Sequence, residues 1–387
     1  MTIYRSGRSV PAKKKKLLMM MISYGNLHDY VYPSTIAFAD NKFQVPINTD
    51  RFYINVLLSK MTPDIRKIEG KNDIDRLLNE KFVCEVRSGF VEVGVDNFCV
   101  PVYYEKYKER IDDFEVRDSD VYVVAHPKTG TTWAQEMIWM IVNNLDYEAA
   151  SEDILKRFPT LETIAHIDND VANMSLFYGK DFLSYLEDMP APRCIKSHLH
   201  WSMLPKQIKS GAKKPKIISV LRSAEDTCVS FYHHCKLMEG YKGTFDEFCE
   251  LFLAGRSCYG PFWKSVLSIW QERHRSNILF IKYIDMKKDL GGVIRKVASF
   301  LERDLNDEAI ERLVKHLSFD SMQRNPAVNL KLVIDLYSML FNVKMAENGF
   351  IRRGVVGGYK TEMTEEQIVR FKEWAEKELA GTDLDVE

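Results

Sequence analysis

Val121-Tyr122-Val123-Val124-Ala125-His126-Pro127-Lys128-Thr129-Gly130-Thr131-Thr132-Trp133 decides how the rest of the chain is read. It opens as a short apolar run rich in β-branched residues, the composition of a buried parallel strand. Pro127, Lys128 and Gly130 break that run. Trp133, Met137, Ile138, Ile141, Val142 and Leu145 then recur at helical spacing. A strand, a Gly-containing loop and a helix N-terminus together cradle phosphate, because loop N–H groups and the helix dipole both favour an anion. Lys128 adds a point charge, and Thr131 and Thr132 add hydroxyls at the first turn. The loop is not a Walker A loop, which places its Lys after the last Gly. Here Lys128 precedes Gly130. The same residues also fit an ordinary strand-to-helix turn, so the loop alone does not choose a ligand.

Outward from this stretch the texture repeats. Residues 193–198, 216–222 and 278–283 read as further strands, and 224–238, 292–301, 307–316 and 364–379 as helices. Phe90-Val91-Glu92-Val93-Gly94 alternates like a strand, and residues 103–111 form a charged, aromatic short helix. Strands alternating with helices predict an α/β fold, a single-domain parallel sheet with helices on both faces. Lys128, His198, Arg222 and Tyr283 fall at or just past the C-terminal ends of predicted strands, the edge where open α/β sheets bind ligands. Residues 1–78 look different, with a lysine run at 13–16, scattered Pro11, Pro33, Pro46 and Pro63, and no sustained period. They are expected to be an extension, partly disordered or poorly packed, ahead of a globular domain spanning 79–387. Residues 52–58 fit either a strand or a short helix.

The totals exclude several classes. Among 387 residues, 54 Lys and Arg balance 55 Asp and Glu, so no global field draws the chain to nucleic acid or membrane. Any anionic substrate has to be met by local charge. Seven scattered cysteines contain no Cys-x-x-Cys pair, which argues against a zinc site or a disulfide framework and for a reducing compartment. The apolar residues 17–22 after the lysine run are fewer than the roughly 7–15 of a signal h-region and far fewer than the ~20 of a membrane span. A soluble, cytoplasmic protein is expected.

Several blocks then resemble the cytosolic sulfotransferases, in order, from about residue 79 to 359. Pro127-Lys128-Thr129-Gly130-Thr131-Thr132-Trp133 is similar to that family's 5′-phosphosulfate loop. Pro190-Ala191-Pro192-Arg193-Cys194-Ile195-Lys196-Ser197-His198-Leu199 is similar to the block ending in its catalytic His. Leu221-Arg222-Ser223-Ala224-Glu225-Asp226, continuing to Val229-Ser230-Phe231-Tyr232, is similar to its 3′-phosphate strand and helix. Tyr283-Ile284-Asp285-Met286-Lys287 and Phe350-Ile351-Arg352-Arg353-Gly354 are similar to its Tyr-x-Asp-Met and Arg-Lys-Gly blocks. The resemblance implies a P-loop-NTPase-like sulfotransferase fold and the co-substrate 3′-phosphoadenosine 5′-phosphosulfate (PAPS). It implies an acceptor hydroxyl on a small apolar alcohol, phenol or sterol.

The residue types suit that chemistry, which rests on positioning and charge stabilisation around an in-line displacement and requires no metal. His198 can take a proton at neutral pH. Lys128 is placed to stabilise the leaving phosphate oxygen, and Lys196, two residues before His198, would share its face and meet sulfuryl oxygens. Arg222, Ser230 and the Arg352-Arg353-Gly354 loop supply donors for a 3′-phosphate. By resemblance, Ser230 restrains Lys128, Trp133 and Phe319 flank adenine, Ser318 contacts it, and Tyr283 lies near the phosphoadenosine. The region 158–189 is expected to build part of the acceptor pocket and a lid. His233 and His234 read as ordinary packing or surface residues, and Phe248, Phe252, Phe262, Trp263 and Trp270 as core.

The chain departs from the family pattern in places. Ser197 stands for a usual Thr, Leu317 for a common Thr near adenine, and His126 for an aromatic residue, which is expected to alter the pocket wall. The dimer motif keeps Lys360 and Thr364 but has Glu365 and Val369 where Val and Glu are usual. A homodimer stays open, with that motif degraded. Two alternatives also stay open: a retinol-dehydratase-like enzyme that sulfates and then eliminates, and a non-catalytic binder of small ligands.

Overall fold

In the computed structural model, residues 65–84, 87–165, 181–331, 333–335 and 349–386 are described. The predicted strands β4 (Val121–Val124), β5 (Cys194–Ser197), β6 (Lys216–Leu221) and β7 (Ile278–Lys282) form one parallel sheet in the order β5-β4-β6-β7. β5 and β6 both follow β4 in sequence yet flank it on opposite sides. That places a topological switch point, and hence a crevice, at the C-terminal end of β4.

The apolar run of β4 serves two cores. Tyr122 and Val124 pack with Ile195, Ile217 and Leu221 on one face. Val121, Val123 and Ala125 pack with Cys194, Ile218 and Val220 on the other. Alternate side chains of a strand face opposite ways, so a strand buried on both faces needs apolar residues throughout. The second face is covered by α3 (Thr131–Val142), α7 (Leu290–Phe300) and α8 (Asp307–His316). The first is covered by α2 (Tyr104–Asp112), α4 (Ala224–Met238), α5 (Phe245–Leu253), α6 (Phe262–Trp270) and α9 (Glu365–Leu379).

Local chemistry explains the limits of these elements. Reciprocal capping boxes, Thr244 with Glu247 and Thr364 with Gln367, start α5 and α9. Asn306 caps α8. α3 is apolar on nearly every side, as a helix wedged against a sheet must be. It stops at Val142 rather than reaching Leu145, because Asn144 and Leu145 turn left-handed (φ 53° and 59°).

A second sheet was only partly legible. β1 (Ile65–Lys67), β2 (Phe90–Val93) and β3 (Phe98–Pro101) pair antiparallel in that order. Only β2 stood out by alternation. The expected boundary at residue 79 falls inside α1 (Asp73–Phe82), whose Leu78 and Phe82 are fully buried in the first core. Arg256 ties α1 to β2 by donating to Asp75 (2.7 Å) and Glu92 (3.0 Å). Described elements thus begin at Ile65, ahead of that expected boundary. The lysine run 13–16 and residues 52–58 lie outside the described residues. No described helix is long and apolar enough to cross a membrane. All seven cysteines are free.

Arg193, just before β5, donates from Nε to Asp120 Oδ1 (2.8 Å) and from Nη2 to Oδ2 (2.6 Å). Both side chains are essentially inaccessible to solvent, and this pair aligns the starts of β4 and β5. Removing one partner strands a charge in the interior. Asp120→Ala is expected to lower the unfolding free energy by about 3–5 kcal/mol, read as a fall in the urea midpoint followed by circular dichroism.

Candidate active site

The site begins where β4 runs into the loop 125–130. Lys128 and Gly130 both adopt positive φ, 67° and 113°. A Cβ on Gly130 would lie 2.7 Å from Tyr283 Cδ2, so only glycine lets the loop close onto that ring. Thr129 is buried, and its hydroxyl donates to the His126 carbonyl (3.0 Å). α3 starts at Thr131, leaving its first N–H groups without partners inside the helix. His126 turns away into the core, edge-on to Phe231, Phe252 and Phe262 at 5.6, 6.0 and 4.9 Å. Its Nδ1–H donates to the Pro127 carbonyl, and burial pushes its pKa down to about 3. It is a neutral core residue and does not form the pocket wall.

Beyond the strand ends lies a cavity of about 350 Å³. Lys128, Lys196, Arg222, Lys287, Arg352 and Arg353 line it, against Asp226 and Glu239 as the lining carboxylates. Burial pushes Lys128 down to about 7, with the Lys196 and Arg222 cations acting in the same direction. Its ammonium sits 3.8 Å over the centre of the Phe350 ring. Arg222 donates to the Lys128 carbonyl (3.0 Å) and the Val355 carbonyl (3.3 Å), and its guanidinium lies 4.3 Å over the Tyr283 ring. Arg222 Nε is buried with no hydrogen-bond partner. A buried donor without an acceptor and a crowd of cations fit an anionic ligand with oxygen acceptors.

The loop that carries Arg352 and Arg353 is held from two sides. Asp226, in the first turn of α4, accepts from the backbone N–H of Gly357 (2.8 Å) and Tyr359 (3.1 Å). Glu362 accepts from Arg352 (2.8 Å) and Arg353 (3.2 Å), and His233 Nε2 meets its other oxygen. Gly354 has φ 61°, and a Cβ there would lie 2.5 Å from the Phe319 ring. Phe319 and Trp133 line the cavity, and Trp133 Nε1–H donates to the Leu317 carbonyl (2.9 Å).

Apolar side chains and His198 also line the cavity. Val229, Phe231, Met238, Tyr259 and Phe350 line it. His198 Nδ1 lies 2.6 Å from the Ala125 carbonyl. A carbonyl can only accept, so Nδ1 carries the proton and Nε2 of the neutral ring holds the lone pair. The Tyr259 ring lies 5.4 Å from the His198 ring. Burial pushes Lys196 down to about 8, against the opposing pull of Glu162.

The structure brings most of the expected residues together. Lys128, Gly130, Thr131, Thr132, Trp133, Lys196, His198, Arg222, Ser230, Tyr283, Phe319, Arg352, Arg353 and Gly354 all line the one cavity. Thr129 and Ser318 do not. The Thr129 hydroxyl serves the loop, and Ser318 caps the short helix Phe319–Arg324. Among the described residues the Lys128 ammonium makes no hydrogen bond to Ser230; the Phe350 ring takes that place. His233 and His234 are more than packing: His233 meets Glu362, and His234 lines the cavity beside Phe231. Of the expected acceptor region, Thr160 and Thr163 line the cavity, while residues 166–180 lie outside the described residues. Sequence reading missed Tyr259, Phe350 and Glu162. Tyr259 sits at φ 64° in Tyr259-Gly260-Pro261, a turn-type tripeptide that was the one local signal available.

The Sulfotransferase domain family model matches residues 118–383. Luciferin sulfotransferase of Photinus pyralis is 39% identical over 326 residues, 83% of this chain and 88% of that protein. Sulfotransferase 1E1 of Homo sapiens is 32% identical over 284 residues, 73% of this chain and 90% of that protein. The crystal structure of retinol dehydratase with androsterone and the inactive cofactor PAP superposes with a TM-score of 0.74 at 27% identity, covering 84% of this chain and 98% of that one.

The close approach of Gly130 to Tyr283 generates a direct test. Gly130→Ala combines a disfavoured positive φ with a 2.7 Å clash. It is expected to destabilise the fold by about 1–3 kcal/mol, measured by chemical denaturation, whereas Gly349→Ala, with no heavy atom within 4 Å of the added Cβ, stays near wild type.

Proposed function

The chain belongs to the sulfotransferase family, and we propose that it moves a sulfuryl group from PAPS to a hydroxyl of a small apolar acceptor. One observation carries the reading. A single cavity is lined by a cluster of cations, by apolar side chains and by His198, whose Nδ1–H is committed to the Ala125 carbonyl. The relative solved with the inactive cofactor PAP supports the choice of donor. The donor supplies the sulfuryl group and a phosphate leaving group.

The residues then divide the work. Lys128 and the N–H groups at the start of α3 hold the 5′ end. Arg222, Ser230, Arg352, Arg353 and the Gly354 backbone hold the 3′-phosphate. Trp133, Phe319 and Tyr283 offer ring faces to the base and sugar. The acceptor O–H gives its proton to His198 Nε2 as the acceptor oxygen bonds to sulfur. The bond from sulfur to the 5′-phosphate oxygen breaks, and its electron pair stays on that oxygen. Lys128 stabilises the charge developing there, and Lys196 meets the sulfuryl oxygens. The products are a sulfate ester, adenosine 3′,5′-bisphosphate (PAP) and protonated His198.

Retinol dehydratase has also been solved with retinol and PAP. The likeness to it favours a second reading, in which an allylic sulfate formed in this way loses sulfate to give a dehydrated polyene. Product analysis separates the two outcomes, a stable ester or a polyene.

The test is incubation of the pure protein with radiolabelled PAPS and a panel of phenols, sterols and retinoids. Label is expected on at least one acceptor. No label, together with no rise in melting temperature on adding PAP, overturns the reading. His198→Ala is expected to lower kcat by about a hundredfold or more while PAP binding stays close to wild type. Arg222→Ala should weaken PAP by about 1.5–3 kcal/mol and adenosine 5′-phosphate far less. PAP affinity should also fall as pH rises above about 7, where Lys128 titrates. A bound phosphate raises that pKa, so above it binding must first recharge the ammonium and below it no proton is taken up. Calorimetry in buffers of different ionisation enthalpy reads the proton uptake.

A further inference from the structure

The chemistry above leaves one enclosed acid without a role. Glu162 is 2% exposed and lies on the segment 159–165 beside β5. That segment is stitched to the strand around Lys196. The Lys196 N–H donates to the Pro159 carbonyl, and the Leu161 N–H donates to the Lys196 carbonyl, both at 2.8 Å. Glu162 then reaches past the strand end. Its Oε1 accepts from the His198 backbone N–H at 2.7 Å, and its Oε2 accepts from Ser197 Oγ at 2.9 Å. Ser197 Oγ itself accepts from the Leu199 N–H (3.1 Å), so its own proton is the one given to Glu162. Burial pushes the Glu162 pKa above the usual carboxylate range, and the donors that fill both oxygens, with the Lys196 cation, oppose that rise in favour of the ionised form.

A neutral side chain could have capped this turn at lower desolvation cost. The charge also acts on Lys196, a half-buried cation whose backbone is hydrogen-bonded to the same segment. We propose that Glu162 is a positioning residue for sulfuryl transfer, whose carboxylate locks the 197–199 turn that aims His198 and sets a negative charge beside the strand position that carries Lys196. The inference rests on the sulfotransferase reading of the site. Burial pushes Lys196 down, and Glu162 is the opposing influence. Lys128 faces Lys196 from the loop after β4 and works the other way on the shared field. Tyr104 of α2, and Cys258 and Tyr259 ahead of α6, face Glu162 itself. All three are held in their neutral forms by burial, which leaves Lys196 as the cation facing Glu162.

His198 is therefore held at two points, ring and backbone. Its Nδ1–H bonds to the Ala125 carbonyl just past β4, and its backbone N–H bonds to Glu162. Losing the second anchor lets the turn shift relative to the first, and sub-ångström shifts of a base are costly in rate.

Glu162→Gln keeps the shape and removes the charge, and Glu162→Asp keeps the charge and shortens the reach. Three quantities are compared with wild type: kcat with PAPS and a responsive acceptor, the PAP dissociation constant, and the pH profile of kcat. Glu162→Gln is expected to bind PAP with near wild-type affinity and to lose kcat by about tenfold or more. The basic limb of its pH profile should move to lower pH, because Lys196 gives up its proton sooner without the carboxylate. Glu162→Asp should move that limb back toward wild type. A folded Glu162→Gln with unchanged kcat and an unmoved limb overturns the inference. So does one that loses PAP binding and melting temperature together with kcat, since a purely structural cap would do that. A wild-type protein that transfers no label overturns the sulfotransferase reading and this inference with it, whereas an active wild type matched by Glu162→Gln overturns the inference alone.

Discussion

Lys128, Lys196 and Arg222 sit half-buried around one cavity at the edge of a sheet, and the mutual repulsion of these cations shapes what surrounds them. Away from water a like-charge cluster is strongly unfavourable unless acids or ligands answer it. Part of the answer is local and permanent. Glu162 stands beside Lys196, Asp226 lies 3.8 Å from Arg222, and Glu362 gathers Arg352 and Arg353. Part is left to a ligand: the Lys128 ammonium rests on the Phe350 ring rather than on an acid, and Arg222 Nε has no acceptor. A protein built this way is poised for an anion with several oxygens.

The same constraint explains the backbone around the cavity. The loops close tightly onto aromatic rings, Gly130 on Tyr283 and Gly354 on Phe319, with no room for a Cβ. Asp226 pins the 357–359 turn, which lets a loop distant in sequence return its arginines to the strand ends. Around His198 a different rule holds. The Ala125 carbonyl can only accept, so it fixes the proton on Nδ1 and with it the tautomer of the neutral ring.

Much of this was legible from local pattern. Buried parallel strands appear as short β-branched runs, and their C-terminal ends named Lys128, His198, Arg222 and Tyr283 before any geometry was known. The misreadings share a cause. His126 sits in the loop two residues past β4, yet it continues the strand's alternation, and the Phe231, Phe252 and Phe262 rings surround it in the core. Thr129 was expected in the cofactor loop and Ser318 beside adenine; the Thr129 hydroxyl donates to the His126 carbonyl and Ser318 caps the helix Phe319–Arg324, as short hydroxyl side chains often do. β1, β3 and α1 are too short or too charged for periodicity to show, and they hold through packing on β2 and α5.

The sequence by itself determined the order of strands and helices, the phosphate-cradling loop and the identity of most groups around the cavity. Those features depend on neighbours in the chain: side-chain alternation, turn residues and caps act over a few positions. Only the tertiary structure decided which groups answer one another's charge. Glu162 meets His198 across 36 residues, and Asp226 meets Gly357 across 131. Such partnerships leave no local trace, because electrostatics and burial act through space, and the sheet that closes that space is complete only when β4 has neighbours on both sides.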